Sequence, residues 1–317
     1  MVTSSNSHQK ILLTGVNGQV GHALQALFSK HAGYSDAIIA LDRTELDLTD
    51  ADAIRRVVAA IKPDIIINPA AYTAVDKAET APELAYAINA TAPKILAEEA
   101  AKAGATLIHF STDYVYAGAK SSPYVEDDAT QPLSVYGKSK LAGEDAIRAV
   151  GLPHLIFRTS WVYGAYGNNF LKTILRLASE RDALRIVADQ LGAPTSSHSI
   201  AEAVLAVLSQ LENGKPQNEV TGVYHLVNAG QTSWHGFATA IVEEYTRLQV
   251  DRNWPPLKVT LANIHAIGTR DFPTPAVRPA NSCLDCSKLA RNFSVTLPNW
   301  RDALVAELQN LTQFRSP

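Results

Sequence analysis

Two cysteines in 317 residues are too few for a disulfide framework, and their C-x-x-C spacing, Cys283 and Cys286, has no second Cys or His pair at zinc spacing. They read as two free thiols in a loop. Charge of one sign is also missing, because 28 Lys and Arg stand against 31 Asp and Glu, so neither a nucleic-acid footprint nor a membrane-surface patch is expected. The longest apolar runs, such as DIIIN and HLIF, are strand-length and fall far below the roughly twenty residues that cross a bilayer. The opening MVTSSNSHQ lacks the apolar core of a signal peptide. Residues 1–9 are therefore expected to be a disordered tail, and the chain a cytoplasmic one. Internal repeats and low-complexity tracts are absent too.

What the chain does have is a core-forming composition, 46% hydrophobic and 19% charged, enough for one large domain or one and a half. Strand and helix periods alternate through the first half. KILLTG, AIIALD, DIIINPAA and TLIHFST are short apolar strands, separated by amphipathic stretches such as QVGHALQALFSKH and DADAIRRVVAAIK. Near-continuous apolar strands in that rhythm predict an α/β fold, a doubly wound parallel sheet of Rossmann type with helices on both faces. A Rossmann domain is expected over 10–160. After PHLIFRTSWVYG the pattern loosens, with a Pro-rich segment from Trp254 to Pro279. Residues 161–317 are expected to supply mainly a smaller, partly discontinuous lobe, with about 170–190 and 222–247 returning to the first domain.

The first strand runs into LLTGVNGQVGHAL. Gly15, Gly18 and Gly21 there permit a tight turn and a close approach of backbone N–H groups to a pyrophosphate at a helix N-terminus. At the first strand of a doubly wound sheet, this is where a dinucleotide binds. Asp42, at the end of the second strand, suits a ribose diol, whereas the next residue, Arg43, suits a 2′-phosphate. NADH and NADPH both remain open. Asp47 and the small residues Ala70 and Ala71 are candidates to line the adenine and pyrophosphate groove.

Downstream lies VYGKSKLAGE, with Tyr136 and Lys140 four residues apart, so that phenol and ammonium share one helix face. Such a pair is common on helices. Its meaning comes from order along the chain: a glycine loop first, then a Ser/Thr-bearing strand end at STDYVYAG, then this pair.

Together with NPAAYTAVDKAE, FRTSWVYG, GNNF, DQLGAPT and PTPAVRPANS, these motifs resemble the dTDP-4-dehydrorhamnose reductases, extended short-chain dehydrogenase/reductases of dTDP-L-rhamnose synthesis. The resemblance covers nearly the whole chain. It implies NAD(P)H-dependent reduction of a sugar C4 ketone, with Tyr136 as proton donor, Lys140 holding the nicotinamide ribose and lowering the phenol's pKa, and Thr112 orienting the substrate oxygen. It also implies a cofactor site of Gly15, Asn17, Gly18, Gln19, Val20, Gly21, Asp42, Arg43, Asp47, Leu48, Ala70, Ala71, Tyr72, Asn89 and Ser111, with Tyr136 and Lys140. For the dTDP-sugar it points to Thr73, Val75, Asp113, Tyr114, Val115 and Trp161 around the deoxysugar. Asn169, Gln190, Thr195 and Arg278 are implied contacts of the diphosphate and nucleoside.

One departure concerns assembly. Some members dimerise through a metal held by glutamates, and the matching positions here are Ala23 and His198. A metal-bridged dimer is therefore not expected, only a monomer or weak homodimer, and no catalytic metal. Alternatives within and beyond the enzyme class are another nucleotide-sugar ketoreductase or epimerase, and a non-catalytic regulatory subunit resembling the methionine adenosyltransferase beta subunit. A 4,6-dehydratase would carry Asp-Glu after the Thr, whereas Asp113 is followed by Tyr114.

Overall fold

A computed structural model describes residues 9–311; the tail expected over 1–9 lies outside them except for Gln9. The first half alternates as the apolar pattern requires. β1 (Ile11–Thr14), α1 (Gln19–Phe28), β2 (Ile38–Leu41), α2 (Ala51–Ile61) and β3 (Ile65–Asn68) lead into the short helices α3 (Val75–Ala78) and α4 (Pro82–Tyr86). Then come α5 (Ala92–Ala103), β4 (Thr106–Thr112), α6 (Val135–Val150) and β5 (His154–Thr159). The helical stretch APELAYAINATAPKILAEEAAKAG is two helices, α4 and α5, joined by a π-helical turn over Ala87–Thr91. Pro93 sits in the first turn of α5, where its missing N–H costs no helical bond.

The second half contains β6 (Val162–Tyr163), α7 (Phe170–Glu180), β7 (Leu184–Val187), β8 (Leu191–Gly192), β9 (Thr195–Ser196), α8 (Ser197–Glu212), α9 (Gln217–Val220) and β10 (Gly222–His225). It closes with β11 (Thr232–Ser233), α10 (Trp234–Arg252), β12 (Ile264–Ile267), α11 (Ser287–Phe293) and α12 (Trp300–Asn310).

Six strands form a parallel sheet in the order β10-β5-β4-β3-β1-β2. The connection from β1 runs outward to β2 and then back over to β3, so the winding direction reverses between β1 and β3, and a crevice opens at their carboxyl ends. Strand alternation feeds two cores. Ile11, Leu13, Ile65 and Ile67 pack with α1, α8 and α11 on one face, and Leu12 and Ile66 pack with α2 and α5 on the other. A separate core joins α7, α10 and α12.

That division moves the expected boundaries. The returning segments are α8, which packs against α1, and β10, which extends the sheet beside β5. Residues 170–190 do not return: α7 buries Leu171, Ile174, Leu175 and Ala178 in the separate core, and β7 pairs with β12. In α7 the apolar side chains fall on a single helical stripe, and that stripe can be covered by only one partner.

Candidate active site

Two glycines seat α6. A Cβ at Gly137 would lie 2.2 Å from the Tyr114 carbonyl oxygen, and one at Gly143 would lie 2.1 Å from that of Asn89. The helix therefore touches the turn after β4 at one point and the π turn at another. Ser134 caps it, accepting from Gly137 N at 3.1 Å. This contact geometry, with no room for a side chain, fixes where Tyr136 and Lys140 stand.

Above them lies a cleft of about 560 Å³, within the size range of small-molecule sites. Gly15, Asn17, Gly18, Gln19, Val20, Arg43, Asp47, Leu48, Ala70, Ala71, Tyr72, Thr73, Ser111, Tyr136 and Lys140 all line it. One end of it is the turn after β1. Gly15 adopts φ +63°, and a Cβ there would lie 2.8 Å from Ala70 Cα, so the β1 and β3 turns meet without side chains between them. α1 begins at Gln19 with no capping side chain and no acidic residue in its first turn. Its unpaired N–H groups and dipole suit a pyrophosphate, and the cleft fits a dinucleotide on those grounds.

Three expected cofactor residues lie off the cleft wall. Gly21 sits under the turn, where a Cβ would be 2.2 Å from the Gly15 carbonyl oxygen. Asn89 is fully buried and acts as a strut, accepting from Tyr72 N at 2.8 Å and donating to the Tyr72 carbonyl and the Ser139 hydroxyl. Asp42 spends its carboxylate on Thr44 and on Asn17 Nδ2 at 3.2 Å. These Thr44 bonds hold its pKa below the usual carboxylate value. Arg43 faces the cleft in its place. Residues that sequence reasoning passed over also line it, among them Leu46, Pro69, Phe110, Thr159, Gly167 and Asn168. Pro69, Phe110, Ile88 and Val162, the last two also on the wall, each adjoin a named site or motif residue, which is the signal that would have found them.

The expected catalytic trio is assembled from two elements. Thr112, at the end of β4, is near enough to the Tyr136 phenol to act on its pKa, though it lies off the cleft wall. The Thr112 hydroxyl donates to Asp113 Oδ1 at 3.0 Å and accepts from Tyr114 N at 3.2 Å. Tyr136 is buried, and the Tyr114 ring meets it edge-on with centroids 5.5 Å apart. Burial pushes the Tyr136 phenol up to about 12, against the lowering effect of Thr112. That reverses the lowering expected from Lys140. The Lys140 ammonium turns toward the Phe110 carbonyl at 2.6 Å, and burial lowers Lys140 itself to about 8, against the charge of Glu144. Asp113 is buried as well, its Oδ1 accepting from Thr112 and its Oδ2 without a hydrogen-bond partner, and burial lifts its carboxyl to about 6.

The expected sugar-nucleotide residues divide. Thr73 lines the cleft, and Val75 starts α3 beside it. Trp161 holds a left-handed φ of +47°, a strained backbone for a bulky residue. It lies flat on Gly192 and stacks on Trp234 at 3.6 Å. Trp234 Nε1 donates to Gln190 Oε1 at 3.2 Å, and Gln190 Nε2 donates to Thr269, so Trp161 and Gln190 belong to one wall. Asn169 caps α7 and donates to Gln19 Oε1 at 2.9 Å, tying the lobe to the glycine turn. Arg278 grips Asp76 with both terminal nitrogens, at 2.9 and 2.8 Å.

Two of these residues are not free to touch a ligand. Thr195 has no exposed surface and gives its hydroxyl to the Ala193 carbonyl. Val115 is fully buried in a cluster with Tyr116, Tyr124 and Leu284. Ala23 lies on α1 and offers no ligand, and His198 Nε2 stands 3.3 Å from Glu202 on α8. Among the described residues no group of three or more His, Cys, Asp or Glu is arranged to hold a metal, and no helix is long and apolar enough to cross a membrane. Cys283 and Cys286 are free thiols.

The chain is 45% identical over 296 residues to the dTDP-4-dehydrorhamnose reductase of Burkholderia thailandensis, covering 93% of this chain and 96% of that protein. Among solved structures, a dTDP-4-dehydrorhamnose reductase of Clostridium acetobutylicum superposes with TM-score 0.85 at 36% identity, over 96% of this chain and all of that one. The Bacillus anthracis reductase, in complex with NADP, superposes at TM-score 0.83 and 34% identity, over 95% of this chain and 99% of that one. The sequence pattern of the RmlD substrate binding domain matches residues 9–313. A match running almost the length of the chain, over the same fold, makes this chain a member of the RmlD substrate binding domain family.

Proposed function

We propose that the chain reduces the C4 ketone of dTDP-4-dehydro-L-rhamnose to dTDP-L-rhamnose with NADPH or NADH, the last step of dTDP-L-rhamnose biosynthesis. The observation that carries this reading is that Tyr136 and Lys140, one helical turn apart, both line the dinucleotide-sized cleft beside the glycine turn, in a chain so similar to reductases of that name.

Bound in the cleft, the dihydronicotinamide supplies the hydride. The protein's residues do the rest. Tyr136 donates the proton to the ketone oxygen, and a phenol near 12 is fully protonated at neutral pH, as a donor must be. Thr112 holds the same oxygen in line, and Lys140 holds the cofactor ribose. Arg43 on the cleft wall favours a 2′-phosphate, while Asp42 beside it leaves the diol accommodated. Trp161 and Gln190 wall the sugar side, and Arg278 offers a planar cation to the diphosphate.

We read the enzyme as cytoplasmic and free of nucleic-acid or membrane partners, on its near-balanced charge. The same reading makes it a monomer or weak homodimer that needs no metal. The test is a steady-state assay with the 4-keto-6-deoxy-L-sugar nucleotide, following oxidation of NADH and of NADPH. Turnover with either supports the reading; none with either, alongside tight capture of a partner enzyme, would replace it with a regulatory role.

A further inference from the structure

Thr14, Asn68 and His109 stand at consecutive register positions on three neighbouring strands. Asn68 pairs with His109, and the register that sets Leu13 beside Ile67 carries on to Thr14 and Asn68. Their side chains share the sheet face with Leu12, Ile66 and Leu107, the face that α6 helps to cover. All three are buried, with 2%, 1% and 0% of their surface exposed. Polar groups at that depth persist when they are bonded to one another.

The bonds run in one line. Thr14 Oγ1 is 2.6 Å from Asn68 Oδ1, Asn68 Nδ2 is 3.1 Å from His109 Nδ1, and His109 Nε2 is 3.3 Å from Lys140 Nζ. A separation of 2.6 Å suits O–H···O, for which about 2.7–2.8 Å is usual, and is short for N–H···O at about 2.9–3.0 Å. The Thr14 hydroxyl therefore donates to the Asn68 carbonyl oxygen. That leaves the Asn68 amide hydrogens facing His109 Nδ1, which accepts. Burial, with the charge of Lys140 adding to it, holds this ring well below the usual histidine pKa, so it is neutral and carries its single proton on Nε2. The Nε2–H points at Lys140 Nζ, where a neutral amine presents a lone pair and an ammonium presents only hydrogens.

We propose that His109, its ring proton pinned to Nε2 by Asn68 and Thr14, is a positioning residue that weakens the hold of Lys140 on its proton and aims its nitrogen at the Phe110 carbonyl and the cleft. The inference rests on the reading of Lys140 as the residue beside the acid and cofactor. Other groups face the same nitrogen. On α6, Glu144 lies one turn on and favours the ammonium, though it is itself paired with Arg158 of β5, and Tyr136 lies one turn back. Beyond Thr112 stands Asp113. The row from His109 reaches Lys140 Nζ with a neutral donor at hydrogen-bond distance.

Proton-detected 15N NMR of the histidine rings tests this without turnover. Wild-type protein should show His109, identified by its loss in His109→Phe, as neutral with the proton on Nε2 at neutral pH; a proton on Nδ1, or an imidazolium, overturns the proposal. In Thr14→Val the amide loses its donor, and the ring is free to take the Nδ1–H form and accept from Lys140. The midpoint at which Lys140 loses its proton, near 8 in the wild type, should then rise by about 0.5–1 pH unit, the worth of one hydrogen bond. It should appear both as a shifted limb of the kcat–pH profile and in a 13C-methyl label on the lysine. Thr14→Ser should restore the wild-type midpoint, and an unmoved midpoint in Thr14→Val overturns the coupling. An inactive protein with the Nε2–H ring would sink the reductase reading alone.

Discussion

Behind and beside the cleft wall stand two Arg–carboxylate pairs, here termed its floor and its mouth, under opposite conditions. At the floor, Arg158 holds Glu144 with Nε at 3.0 Å and a terminal nitrogen at 2.6 Å, and the two side chains are 3% and 0% exposed. Tyr116 accepts from the same guanidinium at 2.6 Å and meets His225 Nε2 at 2.8 Å, and the Ser111 hydroxyl donates to Glu144. At the mouth, Arg278 and Asp76 are 22% and 39% exposed. Burial removes the option of water as a substitute partner, so the floor is a fixed network that aims Ser111 and Lys140. The mouth pair exchanges readily with solvent or with an incoming anion. On the proposed roles, the chemistry sits where exchange is prevented, and recognition of the substrate's charged end sits where it is allowed.

Four substitutions separate these roles. The largest effect is expected at the floor, from Tyr136→Phe. Loss of the general acid should lower kcat by about 10²–10⁴-fold, while dinucleotide affinity, measured by fluorescence titration, stays close to wild type; an unchanged kcat would remove Tyr136 from its role. Glu144→Gln comes next. It leaves Arg158 buried without its counter-charge, at a cost of about 3–5 kcal/mol of stability. A urea midpoint within error of wild type would show the floor to be far more solvated than its burial indicates.

The sequence made the floor legible and left the mouth largely hidden. Short apolar strands such as ILLT and IIIN, with Gly15, Gly18 and Gly21 after the first, carry period and turn chemistry in contiguous residues, so the parallel sheet and the glycine turn could be read directly. The Tyr136–Lys140 spacing is equally local. What remained hidden depends on contacts between distant segments. Asp76 and Arg278 meet across 202 positions, and Trp161 finds Trp234 only after β8 and α10 are in place. Burial was hidden as well. Thr195 and Val115 sit in motifs that resemble a binding site, yet packing encloses both. The expected lowering of the Tyr136 pKa failed for the same reason: adjacency to a cation was visible in the helical spacing, but the desolvation that outweighs it was not.

The smallest effect is expected at the mouth, and it is the sharpest test of the contrast. Arg278→Gln breaks a partly exposed pair, which is worth about 0–1 kcal/mol before solvent screening is counted, so the urea midpoint should hardly move. If Arg278 binds the diphosphate as proposed, its hydrogen bonds would be made equally in the ground and transition states, and their loss should raise KM for the sugar nucleotide by about tenfold with kcat nearly unchanged. Asp76→Asn separates recognition from scaffolding. With its carboxylate gone, Arg278 loses the partner that now competes with the substrate, and KM should fall or stay level if the cation's task is to bind the diphosphate. A KM that rises as much in Asp76→Asn as in Arg278→Gln would mean that the pair itself shapes the mouth, and that floor and mouth are built alike after all.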